Sequence, residues 1–191
     1  MLFRSVGAVI LVIRFIGLVN AAIWLGAAVF FTFAAAPAFF SGEVKLLGLH
    51  PFWPGAMAQL VLARFFNLQY ICGLVAIAHL LVEWSYLGRP LQRLTLGLLL
   101  SLLLLGGIGG LWLQPRLKQL HLIRYSMNER YKAVSIPDAD RLEATQSFRT
   151  LHGVSQVLNL FTFAGVVFYF WRVSHPTDNL RFVSASGNFR R

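Results

Sequence analysis

FIGLVNAAIWLGAAVFFTFAAAPAFFSG, residues 15–42, lies between Arg14 and Glu43 and carries no charged side chain. About 20 apolar residues rising ~1.5 Å each already cross the hydrocarbon core of a bilayer. The stretch therefore reads as a membrane span of about 15–37, closed by Pro37, which lacks the amide donor a helix needs. Three more apolar stretches follow. Span two is about 66–87 and is closed by Gly88-Arg89-Pro90. Span three, LTLGLLLSLLLLGGIGGLWLQ at 94–114, is flanked by Arg93 and Arg116. Span four, TLHGVSQVLNLFTFAGVVFYFW at 150–171, is flanked by Arg149 and Arg172.

The rest of the chain supports this class. Of its 191 residues 57% are hydrophobic, more apolar surface than a soluble domain of this length can cover. The reading is an all-α integral membrane four-helix bundle, a single domain over 1–173, with a polar basic tail at 174–191. Two facts argue against a cleaved leader peptide, although Ala34-Ala35-Ala36 looks like a small-residue cleavage site. The apolar run is about twice the usual h-region of ~7–15 residues, and Pro37 follows the alanines.

The formal net charge is +10. Lys and Arg beside membrane spans follow from the positive-inside bias and from anionic head groups. The bases are spread over loops and both termini, not gathered on one face with exposed aromatics, so nucleic acid is not an expected partner. Arg4 and Arg14 precede the first span and a nearly uncharged loop follows it. That asymmetry favours both termini in the cytoplasm, and the cell (inner) membrane as the location. The lone Cys72 allows no internal disulfide.

Between the spans, Pro51 and Pro54 break the 41–55 connection, and PGAMAQLVLARF at 54–65 restarts an interfacial helix before span two. Leu117, Leu120, Ile123 and Met127 recur at helical spacing, so a helix is expected over 116–132, with a bend at Pro115. Ser135-Ile136-Pro137-Asp138 marks a second helix start that runs on into span four. Together these form an extended polar helical hairpin between spans three and four.

Polar groups inside lipid are costly, so each is a functional candidate. His79 and Glu83, four apart on span two, share a helix face and could relay protons or bind a cation. The plainer alternative is that Glu83 reaches the interface and His79 satisfies a neighbouring helix. His152, Ser155 and Asn159 form a second stripe on one face of span four. The deep Asn159 amide needs a partner, for which Asn20, Thr32, Asn67 and Gln69 are available. His79 and His152 lie at different depths, too far apart for one metal ion or one haem. His50, His121 and His152 fall near one surface, but their spacing requires no cluster. No metal and no cofactor is expected. Gly106 and Gly110 make a GxxxG step, for which Gly26 of span one offers a small matching face. No catalytic motif is present.

Three stretches resemble the transmembrane protein 205-like family. Trp24, Gly26, Pro37 and Phe40 match its first span, and the proline-broken restart at 51–66 is similar to its short helix before span two. His152, Gly153, Ser155 and Asn159 match the opening of its last span. The resemblance implies a four-span module without an assigned reaction. A member in animals is associated with drug resistance, which hints at export or trafficking. The function expected is a non-enzymatic membrane module, either a homo-oligomer or a subunit working with other membrane proteins in the lipid bilayer. The alternative is a small transporter or permeation protein with a path lined by His79, Glu83 and Asn159.

Overall fold

A computed structural model describes residues 2–87 and 91–175. Gly88-Arg89-Pro90, expected to close span two, and the basic sequence from Pro176 onward lie outside the described residues. The helices are α1 (Leu2–Phe30), α2 (Ala36–Ala38), α3 (Gly42–Leu46), α4 (Phe52–Leu87), α5 (Arg93–Gly107), α6 (Gln114–Arg124) and α7 (Asp138–Ser174). A π-helical turn, Phe31–Ala35, joins α1 to α2, and a second, Ile108–Leu113, joins α5 to α6. The result is an all-α bundle. Among the described residues, four helical runs are long and apolar enough to cross a membrane: Val9–Leu46, Phe52–Tyr86, Arg93–Arg124 and Asp138–Ser174.

In the most apolar window of these runs only 17–33% of residues are buried within the chain. Leu11, Phe15, Leu74, Leu104 and Phe161 are among the large side chains left outward. Such a surface needs lipid around it. The chain is accordingly an integral membrane protein.

Between helices in lipid, close packing replaces the hydrophobic drive of water. On α1 the buried face is Gly17, Asn20, Ala21, Trp24 and Ala28, at helical spacing. Trp24, Cys72, Ala76, Leu99, Leu102, Val166 and Tyr169 make the core where all four spans meet. Gly109 and Gly110 leave room for Phe66 and Tyr70 of α4, whose side chains a Cβ at either glycine would strike. The Tyr70 hydroxyl donates to the Gly106 carbonyl at 2.8 Å. The glycine-rich face of span three thus packs within the chain, but not against Gly26. Gly26 lies on the outward side of α1, exposed, with nothing within 4 Å of where a Cβ would stand. The two small faces do not meet within the chain, because Gly26 falls off the buried stripe that runs through Trp24 and Ala28.

Three further expectations change. The 54–65 segment is not a separate interfacial helix. It is the start of α4, which runs unbroken for 36 residues, about 54 Å at 1.5 Å per residue and well beyond the ~30 Å of hydrocarbon. The separate short helix is α3, where the Ser41 hydroxyl caps by accepting from the Val44 amide at 3.4 Å. Leu46 and Leu47 stand exposed at its end. Nor does the hairpin helix reach residue 132. It ends at Arg124, and the chain turns back through Ser126 and Tyr131, both at positive φ. The Asn128 side-chain oxygen accepts from the amides of Arg130 and Lys132 at 2.9 Å each, offering the backbone an alternative to further helix.

Candidate functional site

The His79 ring enters the space that Gly17 leaves on α1, where any Cβ would collide with it. Its Nε2 lies 3.0 Å from the Ile13 carbonyl oxygen, and since a carbonyl only accepts, Nε2 carries the proton and donates. His79 is therefore spent on binding α1 to α4. Glu83, half-buried one turn on, is close enough to Tyr169 of α7 to act on its hydroxyl electrostatically. Neighbouring Asn20 donates its amide to the Cys72 carbonyl at 2.9 Å. Trp24 Nε1 is buried without a hydrogen-bond partner among the described residues, and the buried Tyr169 hydroxyl lies beside the Asn20 side chain.

The second stripe lies elsewhere. Toward the hairpin end the helices part around a cavity of about 690 Å³. His152, Ser155 and Asn159 line it from α7; His79 and Glu83 do not. The Asn159 amide donates to the Thr32 hydroxyl at 3.1 Å, one of the partners available to it by sequence. Other polar groups on the wall include Gln59 and Gln69 of α4, Gln114, His121 and Arg124 of α6, and Gln156 and Thr162 of α7. Gln69 is 4% exposed and makes no hydrogen bond to another described residue. Leu62, Phe66, Leu105, Leu113 and Leu158 supply apolar wall between them.

Two prolines shape this cavity. An interior proline cannot donate, and its ring crowds the carbonyl four residues back. Just before Pro37 the Ala36 amide reaches back five residues to the Phe31 carbonyl, and just before Pro115 the Gln114 amide reaches back five to that of Gly109. The widened turn absorbs the crowding in both cases. Phe31 and Thr32 of the first π turn, and Gly109 and Leu113 of the second, all line the cavity. Single π turns inside α-helices recur at functional sites.

At the outer end an aromatic collar sets the charged groups. His121 is 4% exposed, stacks on Phe52 at 5.1 Å between centroids, and places Nε2 3.0 Å from the Phe52 carbonyl oxygen. Gly55 makes room for its ring. The Arg124 guanidinium stands over Tyr125 and Phe148 at 5.2 and 5.7 Å. His152 stacks on the other partner of that pair, Phe148, at 5.6 Å. His121 and His152 thus share one aromatic neighbour, while His50 is exposed, packs on Tyr125 and accepts at Nδ1 from the Phe52 amide at 3.3 Å. Among the described residues that line the cavity there is no Asp or Glu. The arrangement offers apolar walls, neutral hydrogen-bonding groups at depth and one fixed positive charge near the mouth.

Sequence reasoning found the α7 stripe, Gln69 as an available partner for it and His121 near the surface of His152, but missed Arg124. The available signals were the prolines inside apolar helices and the small residue Gly55 at the start of α4.

A family model described as "Domain of unknown function (DUF4149)" matches residues 19–126. No curated protein and no solved structure matches the chain.

Proposed function

Since the chain belongs to the DUF4149 family, whose description names no reaction, we propose from the cavity that it is a non-enzymatic membrane module that holds one small molecule within its four-span bundle. The observation that carries this is the convergence of Thr32, Gln69, Ser155 and Asn159 on a mostly apolar space of about 690 Å³. Small-molecule sites occupy ~300–1,000 Å³, are apolar for the most part, and carry a few placed polar groups. Both π turns border the same space. The likeness of 24–40 and 151–160 to transmembrane protein 205-like proteins is consistent with a module of this kind. Such a module would work in the bilayer as a homo-oligomer or beside other membrane subunits, with both termini cytoplasmic.

Permeation through His79, Glu83 and Asn159 gains less support, because only Asn159 lines the cavity and His79 is engaged with Ile13.

The test is ligand stabilisation. A molecule that binds the folded state alone raises the unfolding temperature with its concentration. A panel of single-chain amphiphiles added to the purified full chain should raise it for at least one member. Ser155→Phe, which fills the cavity, should abolish the rise while leaving the unliganded protein folded. A rise that survives Ser155→Phe, or no rise with any compound, contradicts the reading.

A further inference from the structure

The cavity is polarised along its length. On α7 its lining runs from Phe148 to Thr162, which spans roughly 21 Å at ~1.5 Å per residue. A volume of about 690 Å³ over that length leaves a mean cross-section of roughly 33 Å², less than half that of an α-helix with its side chains, ~10–12 Å across. A slender ligand fits and a peptide helix does not.

The two ends differ in chemistry. Thr32, Asn159, Thr162 and Gln69 at the inner end are neutral. Arg124 at the outer end is cationic and half-buried, and it makes no ion pair or hydrogen bond with another described residue. Two ring faces fix its position, and the described lining contains no carboxylate to neutralise it. A guanidinium held in this way presents its fork of N–H donors to an oxyanion, the chemistry it matches best. His152 and Gln156, also on the wall, add neutral hydrogen-bonding capacity one turn away on α7.

From this we infer that the occupant is a single-chain amphiphile with an anionic head group, a carboxylate or a phosphate ester, whose head meets Arg124 and whose chain runs inward past Ser155 toward Asn159. The inference rests on the reading of the cavity as a binding site and adds the charge, the shape and the direction of what it takes.

The test uses the full chain in phosphatidylcholine nanodiscs and four probes: dodecyl phosphate, dodecanoate, dodecanol and inorganic phosphate. Dodecyl phosphate and dodecanoate should bind about tenfold or more tighter than dodecanol, the scale of one hydrogen-bonded charge. Arg124→Gln should erase that preference by weakening the two anions far more than dodecanol, and Arg124→Lys should retain part of it. Folding of each variant is checked by its unliganded unfolding temperature. Equal binding of the three chain-bearing probes, or a preference that Arg124→Gln leaves intact, overturns the head-group assignment and leaves the cavity reading standing. Inorganic phosphate binding as tightly as dodecyl phosphate overturns the amphiphile and marks a free-anion site. Binding of no probe overturns both readings.

Discussion

The Asn159 amide of α7 donates to the Thr32 hydroxyl of the first π turn at 3.1 Å, tying span four to span one beside the cavity. Interhelical hydrogen bonds of this kind contribute about 0.6–2 kcal/mol in membranes. Asn159→Leu and Thr32→Val should each lower unfolding stability by about 1 kcal/mol. The double variant should lose less than the sum, because the two residues share one bond. Additive losses in detergent-denaturation curves would show that the pair does not act together.

Gly17 and Gly26 look alike in sequence and sit on opposite faces of α1. Gly17→Leu should disrupt the bundle, since the new side chain meets the His79 ring, and overpacking typically costs about 1–3 kcal/mol. Gly26→Leu should change stability by no more than about 0.5 kcal/mol, as an open site allows. Comparable losses at both positions, measured by thermal unfolding, would contradict the assigned inner face.

Pro115 forces the wide turn that places Gly109 and Leu113 at the cavity wall. Pro115→Ala should let the turn relax toward α geometry. Stability should hold or rise, by up to the ~3 kcal/mol that an interior proline can cost. Amphiphile affinity should fall several-fold as the wall shifts. Affinity equal to that of the unmodified chain would mean that the π turn does not shape the site.

His79→Leu separates a packing role from a path. It should reduce stability by about 1 kcal/mol, the usual net value of one hydrogen bond, and leave amphiphile binding unchanged. A loss of binding with normal folding would place His79 in the site after all.

The membrane spans were legible because their signal is local and long: no charge between Arg14 and Glu43 needs no knowledge of the fold. The α7 stripe was legible for the same reason, since 152, 155 and 159 share a face on any helix. The cavity was not. It depends on where the π turns re-aim Thr32 and Leu113, and on α4 continuing past the lipid so that Gly55 meets His121. Arg124 read as one base among several on a solvated hairpin, because nothing nearby in sequence shows that it stands over Phe148. The end of α6 was misjudged for a related reason. Apolar spacing continued to Met127, but the side-chain bonds of Asn128 turned the backbone away. The outward side of Gly26 was not legible, because small residues occur on both faces of α1 and only packing decides which face is inside.

The central claim, one slender ligand lying inside the bundle, is tested most directly by photo-crosslinking. A dodecyl phosphate bearing a diazirine at the end of its chain would be bound to the full chain in nanodiscs, irradiated, and mapped by peptide mass spectrometry. The account predicts adducts on the inner cavity wall, at Phe31–Ala35 and around Asn159 and Thr162, that are absent in Ser155→Phe. Adducts confined to outward side chains such as Ile71, Leu104 and Phe161, at equal yield in both proteins, would contradict it.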